Sequence, residues 1–291
     1  MTDSALKLPT TYLQLRSQVI GPVLTKIWDT PESTVTERMK HVIEPSFAVD
    51  YTTEFANQLN VPKTNDAADY VVGGSARVTY GVTNRLFYRG RPTEEVKGQT
   101  REFVTLGVQQ TYYTDPRSSI YDTSYVSYSG RLKAVALSPI AITARVSPTV
   151  AFDANGRVEY DVNGYGMQSF STGGSVNAPR ASGNLTFSRT RSASALQTNS
   201  FLTGSTSART RDGRITSQYI LSWDVARGYI VNQMVGASYM GQCCGVRVEF
   251  QKFNYQPGSF ALPADRRFNI SLVLAGLGSI SNFFGAFGGV Q

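Results

Sequence analysis

The chain has 291 residues and a formal net charge of +7; hydrophobic residues make up 41% and charged ones 17%, with 16 Tyr and 15 Phe set among Ser, Thr, Gly and Asn. Aromatics and Thr favour pleated surfaces, and no amphipathic stretch of 3.6-residue period stands out. The basic residues occur singly, often beside an acid as in Arg157–Glu159 and Arg247–Glu249, which argues against nucleic acid as a partner, since that needs clustering on one face.

Met1-Thr2-Asp3-Ser4 lacks the charged-then-apolar build of a secretory signal. No apolar run approaches the ~20 residues of a membrane-spanning helix. Most of the chain alternates apolar and polar with period two, the mark of strands with two different faces. Ile43, Phe47, Val49 and Tyr51 alternate with Glu44, Ser46 and Asp50, and His41, the only histidine, falls at the expected start of that strand. Val78, Tyr80, Val82 and Leu86 alternate with Arg77, Thr79, Thr83 and Arg85. Phe152, Ala154, Val158 and Tyr160 keep one parity through Asn155-Gly156, which places that dipeptide inside a strand. Asn163-Gly164 is expected to be a two-residue hairpin, because apolar positions are even before it (Val158, Tyr160, Val162) and odd after it (Tyr165, Met167). Asp212-Gly213 is expected to turn in the same way. Ile215, Ser217, Tyr219, Leu221, Trp223 and Val225 then alternate with a mostly polar set. Val246, Val248 and Phe250 enclose Arg247 and Glu249, and Phe268, Ile270, Leu272 and Leu274 form the expected last strand. About a dozen such segments are expected, separated by turn chemistry.

An all-β, antiparallel fold is the expectation. Alternation does not choose between a soluble sheet with its apolar face inside and a membrane barrel with that face on lipid. Three features favour the membrane. Strands of about 9–13 residues suit a tilted span, against five or six in ordinary sheets. Tight turns alternate with longer polar loops, Thr53–Gly74, Arg89–Thr100 and Thr114–Arg131. Tyr, Phe and Trp of the apolar set gather near strand ends, where an aromatic girdle lies.

Six segments together resemble the barrel of the LPS-assembly protein LptD family. They are Lys40-His41-Val42-Ile43-Glu44-Pro45, Val78-Thr79-Tyr80-Gly81-Val82-Thr83-Asn84-Arg85-Leu86, Gln109-Gln110-Thr111-Tyr112-Tyr113, Arg157-Val158-Glu159-Tyr160-Asp161, Cys243-Cys244-Gly245-Val246-Arg247-Val248, and Arg267-Phe268-Asn269-Ile270-Ser271-Leu272 running into Gly276-Leu277-Gly278-Ser279. The resemblance implies that residues 1–291 are one C-terminal arc of a larger transmembrane β-barrel in the outer membrane of Gram-negative bacteria, with the N-terminal jelly roll and the first strands absent. It implies export of lipopolysaccharide through the lumen and a lateral seam at the last strand (Phe268, Ile270, Leu272, Leu274), with no bond made or broken. The implied partners are membrane lipid, an LptE-like plug lipoprotein and an LptA-like periplasmic bridge reached through the missing domain. A general outer-membrane porin or receptor barrel is the alternative, and a secreted β-sheet adhesin a third reading.

Cys243 and Cys244 are the only cysteines. As strand neighbours they would point to opposite faces, and a disulfide between them would be a strained small ring. In the family such a pair bonds to cysteines of the N-terminal region. The alternatives here are partners outside this sequence, free thiols, or two small buried residues in a turn. Glu44, Arg77, Arg85, Arg157, Glu159, Arg247 and Glu249, with Asp50, Arg145 and Asp224, form the expected lumen lining. They are read either as contacts for phosphates of the substrate or as mutual cross-strand pairs. His41 has no nucleophile elbow to serve, one His and two adjacent Cys cannot close a tetrahedral metal site, and Gly285–Gly289 lacks the strand–loop–helix setting of a phosphate loop. No catalysis and no cofactor are expected.

Overall fold

The computed structural model describes residues 11–56, 58, 70–92, 98–127, 133–164, 166–191, 198–254, 265–274 and 278–280. Tyr165, Gly276 and Gly285–Gly289 lie outside them. Within the described residues run fifteen strands: β1 (Gln14–Ile20), β2 (Leu24–Asp29), β3 (Thr36–Thr52), β4 (Ser75–Gly90), β5 (Thr100–Tyr113), β6 (Ile140–Thr149), β7 (Phe152–Asp161), β8 (Gly166–Asn177), β9 (Ala181–Arg191), β10 (Thr198–Arg209), β11 (Ile215–Asp224), β12 (Tyr229–Met240), β13 (Cys244–Phe253), β14 (Asp265–Leu274) and β15 (Gly278–Ile280). One 3₁₀ turn, Pro116–Tyr121, follows β5. The strands lie in the sheet in chain order from β1 to β15, with β2 set beside β3. The all-β antiparallel architecture expected from the alternation is the architecture of the chain.

Strand β3 takes two partners on one side. Its second half pairs with β1, Tyr51 opposite Leu15 and Phe47 opposite Val19, and its first half pairs with β2, Ile43 opposite Leu24 and Met39 opposite Trp28. Between β1 and β2 stand Gly21, at φ 118°, and Pro22, joined by a cis peptide. Only glycine adopts that φ without strain, and proline has no N–H to give to a ladder, so the pairing breaks there. The Gly21 N–H donates to the Pro45 carbonyl at 2.8 Å.

Several boundaries differ from expectation. Strand β4 runs on through Gly90, so the loop expected over Arg89–Thr100 shrinks to residues 91–99. Antiparallel alternation puts it at the strand end opposite residues 53–74 and 114–139, the two long connections. The Asn163 and Asp212 turns are longer than two residues, spanning 162–165 and 210–214, although Gly164 (φ 97°) and Gly213 (φ 71°) adopt the left-handed backbone that motivated them. Asn155-Gly156 lies within β7, as its unbroken parity required. His41 lies inside β3 rather than at its start. Strand β14 is not last, because β15 adds three pairs, Leu272 with Ile280 through Leu274 with Gly278.

The chain forms two compact units. The first takes Met1–Pro148, Asn155–Phe170 and Thr190–Thr198, and the second Thr149–Ala154, Ser171–Arg189 and Asn199–Gln291. In both, burial is inverted relative to a water-soluble sheet. Among the described residues six hydrophobic side chains are buried (Val42, Ala48, Val72, Tyr113, Tyr125 and Ala141), whereas thirty-three large ones are exposed. Phe268 is 64% exposed and Glu159 0%. Each large apolar side chain left in water forgoes about 1.5–3 kcal/mol of burial. Apolar side chains exposed in such numbers along the strands mark a surface for a hydrocarbon or a protein neighbour. No helix among the described residues is long and apolar enough to cross a membrane, which says nothing about crossing by strands.

Candidate functional site

Cross-strand register puts the charged set of the first unit on one face. Asp50 stands opposite Arg77 and Glu44 opposite Thr83 in the β3–β4 pair, while Arg85 stands opposite Thr105 and Thr105 opposite Arg145. Directly opposed residues share a face. Arg85 bridges the Glu44 and Glu102 carboxylates at 3.2 and 4.0 Å. Arg16–Asp50 (3.4 Å) and Arg89–Glu37 (3.3 Å) extend the ladder to either side. Glu44, Arg77 and Arg85 are thus brought together, and they pair mainly with one another's neighbours. On the reverse face His41 Nε2 meets Asn84 Oδ1 at 3.3 Å and Tyr80 donates its hydroxyl to Gln110 at 2.7 Å, isolated polar contacts amid apolar residues.

The connection between β5 and β6 folds back onto this polar face. Asp115 caps the 3₁₀ turn by accepting from the Arg117 N–H at 2.9 Å, and Pro116 at the first position loses no needed donor. The Arg117 guanidinium also grips Asp115, 2.6 Å at the closest, and holds its carboxyl below the usual carboxylate range. Further on, the backbone N–H groups of Val126 and Ser127 donate to the two oxygens of Glu159, at 2.8 and 2.9 Å. Arg157 reaches the same carboxylate at 2.8 Å and the Ser124 carbonyl at 2.6 Å. The fully buried Glu159 charge is therefore satisfied by one guanidinium and two main-chain donors, the condition under which a buried carboxylate is tolerated. Tyr113 donates to Asp122 at 2.7 Å, Arg77 sits 3.7 Å from Asp122, and the hydroxyls of Ser75 and Ser118 are 2.6 Å apart. The Tyr125 hydroxyl meets Thr111 at 2.9 Å, and burial pushes that phenol above its ordinary range. Beside the loop a cavity of about 190 Å³ is lined by Gln14, Tyr70, Ser75, Arg77, Ser118 and Tyr121, among others.

Arg157 and Glu159 were expected on the polar face and lie there; that Glu159 anchors a loop was not foreseen. Asp122, Tyr113, Tyr125 and Thr111 were missed. The available signal was the Ser/Tyr-rich run 118–128, too hydroxylated for an exposed linker without purpose.

The polar face of the second unit is built differently. Ser182 and Ser207 share a hydrogen bond at 2.7 Å, Asn184 accepts from the Ser205 N–H at 3.2 Å, and Ser207 stands opposite Gln218. Hydroxyls and amides replace the ion pairs. Charge returns on β13, where Arg247 and Glu249 pair at 3.4 Å on the face they share with Ser271 and Asn269. The buried Asp224 closes the β11–β12 turn by accepting from Arg227 at 2.6 Å. Phe268, Ile270, Leu272 and Leu274 stand opposite Phe250, Val248, Val246 and Cys244, making one apolar row.

The cysteines depart from expectation. Cys243 lies in the turn before β13 and Cys244 is its first residue, so strand alternation does not separate them. Their sulfurs are 3.3 Å apart, exposed and unbridged.

No family model matches the sequence, and no curated protein matches it. Solved structures similar in outline include an engineered protein described by its asymmetric conductivity (8% identity, 94% of this chain and 93% of that one, TM-score 0.33). A triple mutant of Rhodopseudomonas blastica porin (8%, 92% and 93%, 0.33) and a more heavily substituted form of the same porin (8%, 93% and 93%, 0.33) are also similar. Likeness at this level assigns neither family nor function. The geometry itself offers paired charges, bound loop backbone and open polar troughs, and, among the described residues, no cluster of three His, Cys, Asp or Glu able to hold a metal.

Proposed function

We propose that the chain is wall of an outer-membrane β-barrel whose polar face borders a water-filled path for hydrophilic solutes, with the β5–β6 connection narrowing that path. The inverted burial carries this reading: apolar rows such as Phe47, Tyr80, Leu106 and Leu185 are exposed while Glu159, Asp224 and Ser271 are hidden. Lipid is the partner that accepts such a surface along antiparallel strands of mostly 10–17 residues. The test is to refold the whole chain into detergent and look for heat-modifiable gel migration and ion currents in a planar bilayer. A monomer stable in plain buffer with Leu106 and Leu185 shielded from quenchers sinks the proposal.

A second reading is favoured by the paired thiols. If Cys243 and Cys244 hold the barrel to a periplasmic domain, the chain is the LptD-like arc that its sequence resembles. Lipopolysaccharide would then be the solute, and LptE-like and LptA-like proteins the partners. Under this reading, non-reducing gels of the natural gene product shift when Cys243 and Cys244 are replaced by Ser. An unshifted band leaves the general barrel as the function.

A further inference from the structure

We infer that the second unit carries a binding site for a phosphate monoester at the strand end where the β8–β9 and β10–β11 turns meet; this rests on the polar face being open to solutes. A cavity of about 280 Å³ there is lined by Arg180 and Arg209 together with Ser182, Ser207 and Thr216, and no acid lines it. The two turns are tied together. The Arg209 N–H donates to the Arg180 carbonyl at 2.8 Å, and the Arg209 guanidinium donates to the Pro179 carbonyl through Nε (3.1 Å) and Nη2 (2.8 Å). Those bonds fix Arg209 in place while leaving its charge uncompensated.

The acid in the β10–β11 turn is already engaged. Asp212 accepts from the Thr210 hydroxyl at 2.6 Å and the Arg214 N–H at 3.2 Å, with the Arg214 guanidinium 3.8 Å away. Arg180, Arg209 and Arg211 have no carboxylate within ion-pair reach among the described residues. On the first unit's polar face Arg16, Arg77, Arg85, Arg89 and Arg157 each lie within reach of a carboxylate, so this cluster stands apart from them. Guanidinium groups with nearby hydroxyl donors match the three terminal oxygens of a phosphate monoester.

A second cavity of about 280 Å³ shares Ser182 and Ser207 with the first and continues along Asn177, Asn184, Ser205 and Gln218. Its uncharged amide and hydroxyl lining suits the hydroxylated body of such an ester. The ester has two sources, a soluble sugar phosphate or the headgroup of a lipid.

The test measures binding by calorimetry to the refolded full chain, with glucose 6-phosphate, glucose, and phosphatidic acid in mixed micelles as probes. We expect at least one ester to bind and glucose not to. Arg180→Gln/Arg209→Gln should weaken that binding by about tenfold or more, Arg180→Lys/Arg209→Lys should lose less, and Arg214→Gln should lose nothing. Which ester binds identifies the source. Binding of neither ester, or equal binding by the Gln pair, overturns the inference. Heat-modifiable migration of the same samples tells that failure from a failure of the barrel reading.

Discussion

The two units present the same kind of apolar face and two different polar ones. In the first, Arg16, Asp50, Glu44, Arg85 and Glu102 neutralise each other across strands, and a folded connection is clasped by Glu159. In the second, Ser182, Asn184, Ser205, Ser207 and Gln218 carry no charge and no connection covers them among the described residues. Paired charge makes a wall that is polar yet electrically quiet and gives a loop something firm to hold. Hydroxyls and amides make a wall that any hydrated solute can touch at little cost.

The largest effect should fall where the units agree. Leu106→Arg in the first and Leu185→Arg in the second each put a charge on the apolar face, at about 2–4 kcal/mol near a membrane midplane. Both should abolish most heat-modifiable folding, and a variant that folds normally would remove that unit's apolar face from lipid. Next, Glu159→Ala leaves the Val126 and Ser127 N–H groups without their acceptor and Arg157 without its carboxylate, a loss of about 2–4 kcal/mol. Protease should then cut within residues 115–127 while the strands stay intact, and bilayer conductance should rise. Unchanged cleavage would mean that the loop is held elsewhere.

Acid should act on the first unit's loop in the same direction. Asp115 is held below its ordinary value of about 3.9 by Arg117. A depressed carboxylate contributes stability above its unfolded pKa and loses it as pH falls through the folded one. Loop cleavage should therefore increase only below about pH 4 and be flat from there to neutral. The substitution Asp115→Ser keeps a cap but should weaken that dependence, leaving the part carried by the Glu159 clasp. The smallest effect belongs to Gln218→Ala on the uncharged wall, within about 0.5 kcal/mol in chemical denaturation.

Period-two alternation made β7, β11 and β13 legible, because one face of each is nearly uniform. It also sorted Arg77, Arg85, Arg157 and Glu159 onto polar faces, since parity is a local property. It failed where the outcome depends on distant chain. Nothing near Glu159 shows that its main-chain donors come from Val126 and Ser127, some thirty residues back. Cys243 was taken as a strand neighbour of Cys244, yet the ladder opens only at Cys244. Arg89 looked like loop chemistry, but the β3–β4 ladder runs on through it, opposite Arg38.

The interruption at Gly21-Pro22 has one more consequence. Odd positions, Leu15 and Val19, share the greasy side of β3 before it, and even positions, Leu24 and Trp28, share it afterwards. Three residues, 21 to 23, face only two, Glu44 and Pro45, so the chain there slips by one tooth. A count in steps of two falls out of phase at that joint and yields two short, unconvincing pieces. The folded ribbon absorbs the slip and keeps Leu15, Val19, Leu24 and Trp28 on one side of β3, with Ser17 and Lys26 set between them.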